Sequence, residues 1–264
     1  MKFGMPTLVE CRDLEHCASI ATELGIDFIE INMSFPQYQP HLLSVSEAKH
    51  VAAKYGVFYT IHADELLNPF DFNPVVQDAY FQVMKNTIRF AKELSIPVIN
   101  LHLLKGVYVT LPEKVILLTD VYSEQYISLV KRFIAMCEEE IGDSGLVIAI
   151  ENIDSNPFTK SQIEALPLFM QSKAFALTLD TGHDICLDGK DRHVFEKYPQ
   201  KLRHMHLHDC KADKHPHLAL GCGLVNVEKS LDLLANDGTC VIEVKTIAGL
   251  KESVQYLKEH ELLK

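Results

Sequence analysis

LVIAIENIDSNPFTKSQIEALPLFMQSKAFALTLDTGH, residues 146–183, holds two strand-like runs with a helical one between them. LVIAIEN (146–152) and AFALTLDTGH (174–183) are short and mostly apolar, whereas Thr159 to Gln171 has the pattern of a helix. Neighbouring parallel strands need a helix-length crossover, so the stretch reads as one β–α–β step. Both strand-like runs also reach an ionisable residue near their ends, Glu151 in the first and Asp180 in the second.

The same step recurs in both directions along the chain. Strand candidates are MKFGM at the start, IDFIEIN (26–32), VFYTIH (57–62), IPVINLH (96–102), the two runs above, LRHMHLH (202–208) and TCVIEV (239–244). Between them lie helical patterns: DLEHCASIATELG closed by Gly25, SVSEAKHVAAKYG with Ser46 as the expected cap, Val75 to Leu94 and Asp120 to Glu140. Thr159 to Gln171, a short piece before Pro199, Val225 to Asn236 and Ala248 to Leu262 complete the set. Eight strands alternating with eight helices suit either an open doubly wound sheet or a closed barrel. No GxGxxG follows the first strand and no GxxxxGK[ST] loop occurs, so the nucleotide-binding open sheets lose their marker. Eight units in 264 residues favour an α/β fold of the (β/α)8 TIM barrel type, expected as one domain over residues 1–264.

Composition narrows the function. A formal charge of −11 argues against a generally basic nucleic-acid binder, because phosphate neutralisation needs concentrated Lys and Arg. A metal site can supply local positive charge, so DNA chemistry stays open. Seven cysteines without a CxxC pair fit neither a zinc ribbon nor a disulfide scaffold. No twenty-residue apolar run and no signal-like start is present, so the expected location is cytoplasmic, with no membrane partner.

The placement of polar residues is the strongest signal. Strand two carries Glu30 and Asn32. Strands three and four end at His62 and His102, five at Glu151, six at Asp180, seven at His206 and His208, and eight holds Glu243. Any one such residue can be simple strand termination, a rim salt bridge or, for Asp180, a helix cap. In a barrel, however, these ends converge on the face where active sites form, and enclosed carboxylates without a partner each cost several kcal/mol. A divalent cation supplies that partner, and a mixed carboxylate and imidazole set suits Zn, Mn, Co or Fe better than Mg. His204, His206 and His208 share a strand face by period two, so one or two can ligate while another orients a ligand, with Asp209 as the expected partner of such an imidazole. Gly182 is expected to allow a tight turn that brings Asp180 and His183 to one cavity. Glu30 is open between binding substrate and pairing with a basic residue such as Lys105. His16, His41, His50, His193 and His260 receive no role.

LDTGH, MHLHD, HLALGCG and the IEV ending resemble the xylose isomerase-like barrels over nearly the whole chain. That group includes sugar isomerases, ketose 3-epimerases, inosose dehydratase-like enzymes and metal-dependent abasic-site endonucleases. Resemblance to the epimerase branch implies one divalent ion (Mn, Zn or Co) held by Glu151, Asp180, His206 and Glu243. It also implies Glu151 and Glu243 as the proton-transferring pair, acting through an enediolate, and His183 against a sugar oxygen. The implied activity is a metal-dependent isomerase or epimerase of a small sugar, sugar phosphate or polyol, with a keto-inositol dehydratase-like lyase as one alternative. Resemblance to the endonuclease branch implies further metal ligands at His62, His102, His183 and His217. The usual Asp-x-His pair reads here as His215-Pro216-His217, so His215 replaces an aspartate. Acidic HADELLNPFDFNP after strand three and the weakly basic YVTLPEK after strand four suit DNA poorly, whereas Lys105, Lys211 and Lys214 suit a sugar phosphate or carboxylate. The partner is then a small-molecule carbohydrate, and the resemblance leaves monomers and homo-oligomers open.

Overall fold

The computed structural model describes residues 1–213 and 215–263. Lys214, grouped above with Lys105 and Lys211, lies outside the described residues. Eight parallel strands close into a barrel: β1 (Lys2–Pro6), β2 (Phe28–Asn32), β3 (Phe58–His62), β4 (Val98–His102), β5 (Val147–Glu151), β6 (Phe175–Asp180), β7 (Leu202–Leu207) and β8 (Thr239–Ile242). Each strand pairs with its neighbours in chain order, and β1 closes the ring on β8. The expected (β/α)8 architecture is therefore the observed one.

Alternation along each strand sorts the side chains into two environments. Ile29, Ile31, Tyr59, Ile61, Ile99, Leu101, Ile148, Ile150, Leu177 and Leu207 belong to the main apolar core shared with the helices. Their alternate neighbours face the barrel lumen. There, Val98, Ala149 and Ala176 make a separate small cluster, and above it the lumen turns polar with Glu30, Thr60, Asn100, Thr178 and His204. The barrel is thus held from outside by apolar burial, which frees its upper lumen for hydrogen-bonding groups.

The outer helices are α1 (Leu14–Leu24), α2 (Val45–Tyr55), α3 (Pro74–Glu93), α4 (Ser123–Ile141), α5 (Lys160–Gln171), α6 (Thr181–Cys186), α7 (Arg192–Lys197), α8 (Val227–Leu231) and α9 (Ile247–Glu259). Ser44, not Ser46, caps α2, because its oxygen is the one that accepts the Glu47 N–H at 3.1 Å. The helix expected from Asp120 is interrupted at Tyr122, whose backbone leaves the helical region, and α4 starts at Ser123. The helix expected over 225–236 shrinks to α8: Leu233 and Leu234 already donate to carbonyls only three residues back, and this tightening turns the chain toward β8. A small antiparallel hairpin, Tyr108–Thr110 with Val115–Leu117, stands in the segment after β4, which the sequence pattern did not mark as strand.

Candidate metal centre

Register brings the ionisable strand ends to one level. His102 aligns with Glu151, Asp180 with His206, and Asn32 with His62. Glu243 lies one residue beyond β8, but its N–H still donates to the Leu207 carbonyl at 3.0 Å, so the ladder places it as firmly as a strand residue. One donor atom each from Glu151, Asp180, His206 and Glu243 lies within 4.8 Å of the others, and all four residues are buried. His206 is central: its Nδ1 is 3.0 Å from Glu151 Oε1, 3.1 Å from Glu243 Oε2 and 3.9 Å from Asp180 Oδ2.

Three carboxylates surround one imidazole in a buried site, and in the metal-free chain their charge is offset by protonated histidines and Lys245. Glu243 Oε2 has no hydrogen-bond partner among the described residues, although it is buried. A divalent ion fits both observations, since it would neutralise the carboxylates and take the open oxygen as a ligand. Lys245 Nζ holds the other oxygen of this glutamate, Oε1, at 2.7 Å.

The electrostatics reflect crowding around His206. Burial pushes the Glu151 and Glu243 carboxyls up, but the charge of His206, assisted by His102 for Glu151 and by Lys245 for Glu243, holds both well below the usual carboxylate range. Burial pulls His206 down, and Glu151, Glu30 and Glu243 more than reverse it, so the ring is raised well above an ordinary histidine.

The other expected residues divide into three groups. His62 and His102 meet Glu151 on its far side. His102 Nε2 is 2.9 Å and His62 Nε2 3.6 Å from Glu151 Oε2, and Asn100 donates to the same oxygen. His62 Nδ1 faces the Ala63 carbonyl at 2.8 Å, and Glu151 raises the ring to about 9 against the opposing effect of burial. His183 and His217 make the second group. Each sets its Nδ1 on a backbone carbonyl, Asn152 O at 3.0 Å and Glu243 O at 3.2 Å respectively, and their rings lie 5.5 Å apart. Burial keeps His217 low, at about 4. His183, His208 and His217 also bring nitrogens together, but His208 is already occupied. Its Nδ1 accepts from the His217 N–H at 2.8 Å, and its Nε2 is 3.0 Å from Asp180 Oδ2.

His215 is the third case. Its side chain is 75% exposed and its nearest charged partner is Asp213 at 3.5 Å, so it stands outside the cluster. The strand periodicity that placed the other histidines stops before this loop.

Several local expectations are corrected. The chain does turn at once into α6 and brings Asp180 and His183 within 3.5 Å, but Gly182 serves this by size and not by a left-handed backbone: a Cβ there would lie 2.0 Å from the His208 ring. Asp180 is both a cap and a cluster member, with Oδ1 accepting the His183 N–H at 2.7 Å while Oδ2 faces the histidines. Among the described residues the Asp209 carboxylate pairs with no imidazole, and accepts instead from the backbone N–H groups of Cys210, Gly223 and Val225. Glu30 meets His204 and His206, each at 2.9 Å, rather than Lys105. Asn152 escaped the sequence reading. Its side chain exchanges two hydrogen bonds with the Asp180 backbone, fixing the end of β6.

A cavity of about 170 Å³ opens beside the cluster, with Asn32, Phe35, His62, Glu243 and Lys245 in its wall. The model of the xylose isomerase-like TIM barrel family matches residues 18–260. No curated protein matches the chain. Among solved structures, a D-tagatose 3-epimerase-like protein is 26% identical, with a TM-score of 0.76 over 99% of this chain and 97% of that one. D-psicose 3-epimerase from Clostridium cellulolyticum H10, solved with D-tagatose, is 16% identical with a TM-score of 0.75 over 100% and 99% of the two chains. The IOLI protein, solved with a zinc atom, is 16% identical with a TM-score of 0.72 over 99% and 97%. These last two share the fold. With the barrel, its polar upper lumen and a family match over most of its length, the chain belongs to the xylose isomerase-like TIM barrel family.

Proposed function

We propose that this chain is a metal-dependent isomerase or epimerase of a small sugar or polyol, with Glu151, Asp180, His206 and Glu243 holding one divalent ion. The observation that carries the reading is the convergence of these four donors, with an unpartnered Glu243 oxygen, beside a cavity of monosaccharide scale. The family and the epimerase-like relative support a carbohydrate substrate. The zinc atom in the IOLI protein supports a divalent ion.

When bound, the ion supplies Lewis acidity to a substrate carbonyl and the adjacent hydroxyl, which makes the intervening carbon-bound proton more acidic. Glu151 and Glu243 approach the centre from different strands: one, as the carboxylate, takes that proton and is left as the acid, and the other, entering as the acid, returns a proton to the opposite face. His183, with Nδ1 committed to Asn152, presents its remaining nitrogen to a substrate oxygen.

A second reading, phosphodiester hydrolysis at two or three ions, is favoured by the His62, His102 and Glu151 group. Exposed His215, occupied His208 and the net charge of −11 weigh against it.

One preparation tests both readings. Metal content is measured by mass spectrometry, and solvent deuterium incorporation is followed into a panel of ketoses and keto-polyols. One ion per chain with exchange at a substrate carbon is expected, and Glu243→Gln should abolish that exchange. Normal exchange in the variant sinks the two-glutamate mechanism. Two or three ions with cleavage of an abasic duplex would replace the isomerase reading with the hydrolase.

A further inference from the structure

Below the proposed metal centre, the lumen holds an ordered row of polar groups that the reaction itself does not use. Glu30 is only 1% exposed, yet its carboxylate makes three short contacts. Thr60 Oγ1 donates to Oε2 at 3.0 Å, His204 Nε2 reaches the same oxygen at 2.9 Å, and His206 Nε2 is 2.9 Å from Oε1. The contact with His206 is off-axis, a short ion-pair contact rather than a linear hydrogen bond. His204 Nδ1 is in turn 2.6 Å from Thr239 Oγ1.

Proton accounting gives this row a direction. Ionised Glu30 can only accept, so His204 must carry its proton on Nε2, and Thr239 then donates its hydroxyl proton to His204 Nδ1. His206 is held from both sides: its Nδ1 is hydrogen-bonded to Glu151 Oε1 at 3.0 Å, the side on which a ligand nitrogen is needed, and its Nε2 lies 2.9 Å from Glu30 Oε1, so a cation that took Nδ1 would leave the ring proton on Nε2 beside the Glu30 carboxylate. The three residues Glu30, His204 and His206 could themselves be taken for a metal site, because their donor atoms also lie close together. Both nitrogens of His204 are already committed, which makes this group a support and not a second centre.

We infer that Glu30 is the positioning residue of the centre: braced by Thr60 and His204, it holds the His206 ring in place and strengthens that imidazole as a ligand. The inference rests on the metal-centre reading above; Glu30 also borders the cavity beside the cluster, so metal affinity, and not turnover, is the readout that isolates its positioning role. Carboxylates placed behind ligating histidines raise ligand basicity, and their loss typically lowers metal affinity 10- to 100-fold.

The test is Mn²⁺ titration of the metal-stripped chain, following free Mn²⁺ by electron paramagnetic resonance, with the melting temperature of the metal-free protein measured alongside. Glu30→Gln keeps the shape and removes the charge. A 10- to 100-fold loss of Mn²⁺ affinity is expected, beside whatever drop in metal-free melting temperature follows from weakening the buried contacts to His204 and His206. A purely structural residue would lower the metal-free melting temperature and leave the affinity unchanged, and that result overturns the inference. Should Glu30→Gln fail to fold, Glu30→Asp keeps the charge but withdraws it from His206 by one methylene. About tenfold weaker binding is expected there, and unchanged affinity in that variant is equally fatal. Wild-type chain that binds no divalent ion overturns the metal-centre reading together with this one, whereas unchanged affinity in a variant overturns this one alone.

Discussion

At the scale of single residues, Gly182 shows how tightly the centre is packed. Its backbone is not left-handed, so alanine would meet no conformational penalty there. The obstacle is steric: a Cβ would sit 2.0 Å from His208 Cε1 and 2.3 Å from its Nδ1. Since His208 contacts Asp180 and accepts the His217 N–H, displacement of the ring disturbs a proposed ligand and its loop together. Gly182→Ala is expected to cost about 1–3 kcal/mol, the usual range for overpacking, and to weaken divalent-ion binding. Urea denaturation and metal titration of the variant check the two effects; a variant that matches wild type in both would show that the His208 ring has room to move. Residues like Glu151, Asp180 and His206 were legible in the sequence because period-two alternation and strand ends are local patterns. Glu30 was not, since its partners on β7 lie 174 and 176 positions away and adjoin it only when the barrel closes. The turn at Gly182 was legible but its steric constraint was not, for the same reason: it comes from the His208 ring at the end of the next strand.

At the scale of elements, the strands were legible to within a residue or two, because each carries a continuous apolar run between polar ends. Helices after β6 and β7 were less so. Here α6, α7 and α8 span six, six and five residues, and backbone staples replace long amphipathic faces. Asp209 is the main staple after β7. Fully buried, it accepts from Cys210 at 2.9 Å, Gly223 at 2.8 Å and Val225 at 2.9 Å, and so folds the 210–225 loop back on the strand end. Sequence spacing suggested an imidazole partner because Asp209 follows His208 directly, but alternation sends successive side chains to opposite faces. Asp209→Ala leaves three backbone N–H groups without their acceptor, at about 1–3 kcal/mol for each one that stays buried. Stability should fall by about 3 kcal/mol or more, and hydrogen exchange at Gly223 and Val225 should accelerate well beyond that of the barrel strands. Unchanged protection at those two amides would remove Asp209 from this role.

At the scale of the whole molecule, stability and the proposed cation are linked through pH. In the metal-free chain the positive charge of His206 and its neighbours balances the buried carboxylates. His62, His183 and His206 are all raised above their ordinary values, against burial, by the carboxylates around them. A histidine raised on folding stabilises the protein fully below its unfolded value near 6.5 and loses that contribution as pH rises through the folded value. For His62 the loss runs from about 6.5 and is nearly complete at about 9. Glu151 and Glu243 are depressed, so their contribution is intact above the unfolded value near 4.3 and disappears only on acidification below it. Because His217 is held low, stability also falls as pH drops from 6.5 toward 4, so the metal-free protein should be most stable near pH 6.5 and weaken by about 1–3 kcal/mol between pH 6.5 and 9, taking about 1.4 kcal/mol for each pKa unit and allowing for coupling among the groups. Bound metal reverses the slope, because a cation needs deprotonated imidazoles and replaces the proton as the balancing charge. Chemical denaturation at pH 6.5 and pH 9, with chelator and with saturating Zn²⁺, measures both slopes. Falling stability with chelator and steady or rising stability with Zn²⁺ are expected; parallel curves would mean that proton and metal do not compete for the strand-end cluster.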